Sequence, residues 1–364
     1  MKKTLLYFLT TIITINLSAS PLDELKEKID QAIAKNHIAG VAICVGDSSG
    51  IKFSHAQGMS AKGGKTPMTT DTIIDVASVT KTVATTTALA ILRDRGEIDF
   101  DSPFNKYLPQ YSPKLESPTT VRDLATHISG FNNSPYWNDC TGRAMLKTAL
   151  STRPTQAPRI AYRYSCWNFI LLGFVVENIT QQPLNIFCQN EIFKPLGMKD
   201  SSMGIPIANA ENRYARTITT SKAGEISDPP ARTIYADNMC AGNAGLFTTA
   251  NDLSKFCRMI LGKGKLGNTR ILSEERIEEL SKITFKDKKG NARTFGWNAS
   301  NSLKNFSDKF IYHTGWSGQS VYIDLEKNIF AIVLTVRCSQ YPNPAGERKI
   351  FAELAMDAML KQKN

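Results

Sequence analysis

Strand-like and helix-like segments are distributed unevenly along this chain, and that distribution is its strongest constraint on fold. Near the N-terminus, Gly40–Val45 and Ile51–His55 read as two strands around Gly46-Asp47-Ser48-Ser49-Gly50, a hairpin turn. Near the C-terminus, Phe310–His313, Ser320–Leu325 and Ile329–Val336 read as three more, with Glu326-Lys327-Asn328 turning between the last two. Helical patterns lie outside and between these runs. Leu22, Leu25, Ile29, Ala32 and Ile33 repeat at helical spacing, with Asp23 and Glu24 early. Residues 79–95, 168–179 and 346–360 are also helical in pattern, and Thr120–Asp123 and Thr249–Asp252 each fit a capping box. The polar stretch Lys288–Lys309 reads as surface loop. Two early and three late strands predict one antiparallel five-stranded sheet flanked by the terminal helices. The fold class is α/β (α+β): residues 21–85 and 245–364 form a discontinuous α/β domain, and residues 86–244 an inserted, mainly helical one.

Composition narrows the class of protein. The chain has 364 residues, 42% hydrophobic and 21% charged, an ordinary globular balance that excludes disordered and fibrous classes. A core of this size needs no disulfide staples. Met1-Lys2-Lys3, the apolar run Thr4–Leu17 and the small residues Ser18-Ala19-Ser20 have the layout of a signal peptide over residues 1–20. That run is short for a membrane span, no later stretch is long and apolar enough for one, and the product reads as exported, periplasmic or secreted. The formal charge is +11; removing Lys2 and Lys3 leaves 42 basic against 33 acidic residues, or +9. Anionic cell wall fits that charge. Nucleic acid does not, because export removes it and no basic-aromatic motif is present. Seven cysteines are scattered without metal-ligand spacing, so neither a metal nor another cofactor is expected.

Two Ser-x-x-Lys strings occur. Ser49–Lys52 lies in the hairpin turn, and the overlapping Gly46–Gly50 string, which matches the Gly-x-Ser-x-Gly elbow, lacks the helix that elbow requires. Ser78-Val79-Thr80-Lys81 instead opens a strong helix. A Ser and a Lys three apart share one helix face. The helix N-terminus favours developing negative charge, and a desolvated Lys gives up its proton more readily.

Ser78–Lys81, then Tyr164-Ser165-Cys166, then His313-Thr314-Gly315, in this order and at these separations, resemble the serine β-lactamase and penicillin-binding protein superfamily, nearest its class C-like branch. The flanks Asp75-Val76-Ala77, Val121–Gly130, Tyr164–Gly173, Gly242–Leu253 and His313–Asp324 carry the same resemblance across nearly the whole chain. It implies a β-lactamase/transpeptidase-like fold and an acyl-enzyme on Ser78, with Lys81 and Tyr164 moving protons and the backbone N–H groups of Ser78 and Trp316 forming the oxyanion hole. It places His313, Thr314, Gly315 and Cys166 against the substrate. His313 stands where many relatives carry Lys, to orient or neutralise a substrate carboxylate or the catalytic network; some DD-peptidases of the group also use His-Thr-Gly. Cys166 stands where the family carries Asn, whose amide contacts the Lys and the substrate carbonyl, and a thiol is a poor substitute. Asn168 is expected to face elsewhere. The resemblance also puts Cys140 close enough to Cys166 to suggest a disulfide. The implied substrates are peptidoglycan-derived peptides, cleaved as by a DD-carboxypeptidase or a muramyl-peptide amidase. A β-lactamase-like esterase, a β-lactamase and a non-hydrolytic penicillin-binding sensor are the alternatives. His127 is read as packing, His37 and His55 as peripheral, and Arg337 as an exposed strand-end residue.

Overall fold

The computed structural model describes residues 20–133, 142–204, 207–218, 220–236, 239–299, 303–338 and 345–361. The proposed signal segment therefore lies outside the described residues except for Ser20, which caps the first helix, α1 (Pro21–Ala34), by accepting from Asp23 N at 3.2 Å. Proline at the first helical position and acids in the first turn complete that helix start.

The two chain ends share one antiparallel sheet. Its strands are β1 (Ile38–Asp47), β2 (Gly50–Gly58), β3 (Ile311–Thr314), β4 (Gln319–Asp324) and β5 (Ile329–Arg337), in the spatial order β3-β4-β5-β1-β2. The register sets Ala42 opposite Leu334, Val321 opposite Ile332 and His313 opposite Val321. Central strand β1 is apolar almost throughout because both of its faces are covered. Val41, Ile43 and Val45 pack with α1 and α6 (Ala345–Lys361) through Leu25, Ile29, Phe351 and Ala355. Ala42 and Cys44 face the other way, into a larger core with Leu253 and Phe256 of α5 (Ala250–Leu261). This is the period-two alternation of a strand buried on both sides.

Between β2 and β3 the chain is mostly helical, with short strands. The segment expected as one helix over 79–95 has three parts: a 3-10 turn at Ala77–Val79, a π-helical stretch at Lys81–Thr86, and α2 (Thr87–Asp94). Wide turns of this kind recur at functional sites. Both Thr caps are present at α3 (Val121–Ala125) and α5. At α5, however, Asp252 turns its carboxylate to Asp200 N, 2.7 Å, and to Ser201 Oγ, 3.0 Å. Helix α4 (Cys166–Thr180) is buried at every position from Trp167 to Val176, which explains its lack of an apolar stripe.

Two expectations are corrected. Lys288–Lys309 is not simply surface loop. Ala292–Arg293 forms a short strand, and Arg293, Thr294, Phe295 and Trp297 are buried against the body of the protein, Phe295 stacking on Phe100 at 3.8 Å. Arg337 is buried rather than exposed, because Trp316 and its carbonyl supply a ring face and an acceptor.

One close contact matters for the site. Helix α4 and the loop leading into the short strand Leu246–Thr248 meet at Gly173 and Gly242, where a Cβ on Gly242 would lie 2.1 Å from Phe169 O and 3.0 Å from Gly173 Cα. Gly242→Ala is therefore expected to destabilise the fold by about 1–3 kcal/mol. Gly50→Ala, with nothing within 4 Å of the added methyl, is expected to cost less than about 0.5 kcal/mol. Urea denaturation of the two variants tests the difference.

Candidate active site

Ser78 is held by a strained turn. Ala77, just before it, has φ +46°, a left-handed conformation that costs free energy for a residue with a Cβ. Asp75 stabilises the turn: its Oδ1 accepts from Ala77 N at 2.9 Å, and its Oδ2 accepts from Ser227 N and Oγ, each at 2.6 Å. Burial raises the Asp75 carboxyl above its ordinary pKa in spite of these bonds.

One turn on, Lys81 is fully buried, with each N–H directed to an acceptor. It donates to Ser78 Oγ at 2.9 Å, to Asn243 O at 2.8 Å and to Cys166 Sγ at 3.7 Å. Its ammonium also lies 5.1 Å from the Tyr164 ring centre and 5.8 Å from that of Phe169. Tyr164 Oη donates to Ser78 Oγ at 2.9 Å. Burial pulls the Lys81 pKa down, but Cys166, Tyr164 and Asp228 outweigh it and leave the pKa above the ordinary lysine value. Burial likewise raises Tyr164 and Cys166 above theirs. At neutral pH the cluster holds an ammonium, a phenol and a thiol, and groups this close share their protons as a unit.

The third predicted motif arrives from the edge of the sheet. Gly315 abuts the Ser78 turn: a Cβ there would lie 2.5 Å from Val76 O and 3.3 Å from Ala77 Cβ. Only glycine permits this approach. His313 is 1% exposed, its Nδ1 is 3.0 Å from Thr314 O, and its Nε2 has no partner among the described residues. Burial, then the charges of Arg293 and Lys81, push its pKa well below the ordinary value. That shift keeps the imidazole neutral at physiological pH.

His127 packs, as expected, and in doing so orients the second motif. Its Nδ1 accepts from Ser165 N at 3.2 Å and lies 2.9 Å from Asn168 Nδ2, and its ring centre is 4.4 Å from that of Tyr164. Asn168 turns away from Lys81 to bond Ser129 and His127. Among the described residues Cys166 is a free thiol; the suggested disulfide falls on Cys140, which lies outside the described residues. His37 pairs with Glu347, and His55 with Gln57, outside this cluster.

Ser78, Lys81, Tyr164 and Cys166 are therefore one hydrogen-bonded group, with Gly315 against its turn. The sequence did not single out Asn243, whose carbonyl holds Lys81. A signal was present: Asn243 lies between Gly242 and Gly245, and both glycines are needed for close packing. Nor did it single out Arg293, buried with its guanidinium 5.6 Å over the Tyr162 ring and with a charge that acts on His313. Among the described residues, no group of three or more His, Cys, Asp or Glu is placed to hold a metal ion.

This architecture has known relatives. The family model described as Beta-lactamase matches residues 25–353, and the chain belongs to this family of serine hydrolases. A protein of Salmonella gallinarum named "Putative D-alanyl-D-alanine carboxypeptidase" is 27% identical over 325 residues, covering 78% of this chain and 74% of the relative. A penicillin-binding protein homologue from Caulobacter crescentus superposes with a TM-score of 0.77 at 15% identity, covering 93% of this chain and 98% of the other. A class C β-lactamase from Rhodobacter sphaeroides superposes with a TM-score of 0.72 at 19% identity, covering 93% and 99%.

The two buried histidines make stability depend on pH. Burial, then the charges of Arg293 and Lys81, depress the His127 pKa well below its ordinary value of 6.5, as they do that of His313. Below that pH the unfolded chain takes up protons that the folded chain refuses. Stability should therefore fall as pH drops from 7.5 to 5, by about 1 kcal/mol per pH unit for each histidine until its folded pKa is reached. Urea denaturation across that range should show the slope, and His127→Gln should flatten it.

Proposed function

We propose that this chain forms an acyl-enzyme on Ser78 and cleaves an amide or ester bond in peptidoglycan-derived peptides, as a DD-carboxypeptidase or muramyl-peptide amidase does. The observation that carries the reading is the convergence of Lys81 Nζ and Tyr164 Oη on Ser78 Oγ, each at 2.9 Å. Once the cluster has lost a proton, the deprotonated Lys81 or Tyr164 takes the hydroxyl proton as Oγ attacks the acyl carbon. The N–H groups of Ser78 and Trp316 receive the developing oxyanion. Tyr164 then delivers a proton to the leaving group, and water, activated by the same cluster, releases the acyl product. Thr314 and Gly315 line the strand edge along which the substrate backbone lies.

The choice of substrate is supported by the carboxypeptidase name of the Salmonella relative. It is also supported by the signal-like N-terminus and the +9 charge that export would leave beside an anionic wall. One feature favours ester cleavage as a second reading. Cys166 gives Lys81 a thiol at 3.7 Å in place of an amide oxygen and offers a substrate amide no amide partner.

Ser78→Ala is expected to lower turnover at least about 10³-fold on whichever of D-Ala-D-Ala peptides, muramyl peptides, p-nitrophenyl esters and nitrocefin the wild type cleaves. If no substrate turns over and penicillin leaves no adduct on Ser78, the reading is wrong. An adduct that forms but never hydrolyses indicates a penicillin-binding sensor instead. Cys166→Asn is expected to raise kcat/KM on amide substrates about tenfold, equivalent to about 1.4 kcal/mol and one hydrogen bond, and to leave esters nearly unchanged. Parallel assays of one amide and one ester substrate measure that split.

A further inference from the structure

Two buried guanidiniums converge on the turn after β3. Arg348, near the start of α6 and 4% exposed, donates from Nη1 to Gly315 O at 2.7 Å and to Gln319 O at 3.1 Å. Arg337, at the end of β5, donates from Nη1 to Trp316 O and lies with its guanidinium 5.6 Å from the centre of the Trp316 ring. Glu347, the acid next to Arg348 in sequence, is engaged by His37.

The turn is already well tied without Arg348. Gly315 N donates to Gln319 O at 2.8 Å, and Gly318 N to Gly315 O at 3.1 Å. The Gln319 amide donates to Ser317 O and Thr335 O, each at 3.1 Å, and accepts from Ser317 Oγ at 2.7 Å. A neutral side chain at 348 would leave all these bonds in place. Burying a cation is costly, so its charge calls for an explanation beyond shape.

Peptide chemistry supplies one. Gly315 C=O and Trp316 N–H are the two ends of a single planar, conjugated group. A donor on the oxygen withdraws electron density and strengthens the N–H as a donor, and a cationic donor does so more than a neutral one. The corresponding group at Ser78 differs, since Ala77 O accepts from the backbone N–H of Thr80, a neutral donor.

We propose that Arg348 is a positioning residue of the oxyanion hole: through Gly315 O it aims and polarises the Trp316 N–H toward the oxygen of the tetrahedral intermediate. This rests on the reading of Ser78 as nucleophile and Trp316 N–H as an oxyanion donor. It assigns to the C-terminal helix, remote in sequence from every motif, a direct effect on the chemical step.

The test compares p-nitrophenyl acetate with p-nitrophenyl thionoacetate, whose sulfur is a weaker hydrogen-bond acceptor, by following the burst of nitrophenol. In the wild type the oxo ester should react faster by a ratio that reports the strength of the hole. Arg348→Met should lower kcat on the oxo ester about tenfold, a fraction of the 10²–10³ that follows removal of an oxyanion donor. KM should change little and the oxo/thiono ratio should fall. Arg348→Lys should restore most of the ratio, and Arg348→Gln, a neutral donor, should lie between. Equal losses on both esters, or an unchanged ratio in the Met and Gln variants, would overturn the proposal. If the Met variant does not fold, the Lys and Gln variants decide by the same ratio. A wild type with neither a Ser78-dependent burst, judged against Ser78→Ala, nor a penicillin adduct on Ser78 refutes the underlying assignment of Ser78 and is thereby distinct from a failure at Arg348.

Discussion

The burial of Lys81 is the constraint on which the rest of the site depends. An ammonium withdrawn from water costs several kcal/mol unless every N–H finds an acceptor. Here the acceptors come from three places: its own helix through Ser78, helix α4 through Cys166, and the loop after Gly242 through the Asn243 carbonyl. Each is held independently. Asp75 secures the Ser78 turn, His127 and Asn168 orient the start of α4, and the Gly173–Gly242 contact lets the Asn243 loop approach. Satisfying one buried charge therefore brings together segments that lie far apart in the sequence.

The same arrangement explains the protonation pattern. With Lys81 cationic, Tyr164 and Cys166 are buried next to a positive charge yet remain protonated because desolvation dominates. His127 and His313 lie within range of both Lys81 and Arg293, and burial together with those charges keeps them neutral. His313 thus shapes the end of β3 without adding charge. Positive charge reaches the turn after β3 through Arg337 and Arg348, which bond to its carbonyls.

Much of this was legible in the chain. Short alternating apolar runs at both ends announced the five-stranded sheet, and the strands fall within a few residues of their expected places. Period-two patterning and turn residues are local signals, so they survive in one dimension. Ser78–Lys81, Tyr164 and His313–Gly315 stood out together, because their order and separations resemble those of the serine β-lactamase superfamily; Ser-x-x-Lys alone recurs at Ser49–Lys52. The π-helical winding at Lys81–Thr86 was not legible. Its side chains serve a tertiary packing problem rather than a helical preference, and Thr85 spends its hydroxyl on Gly242 O. The burial of Arg293 and Arg337 was also hidden, because composition alone marks arginine as a surface residue.

By itself, then, the sequence determined the sheet and the set of candidate reacting groups, because those reside in residue types, their order and their spacing. Only the tertiary structure decided which acceptors satisfy Lys81, that His313 is neutral, that Cys166 is a free thiol among the described residues, and that Arg348 reaches the peptide group of Trp316. Burial, electrostatic environment and hydrogen-bond partnership depend on what the rest of the chain brings alongside, and no local pattern encodes that.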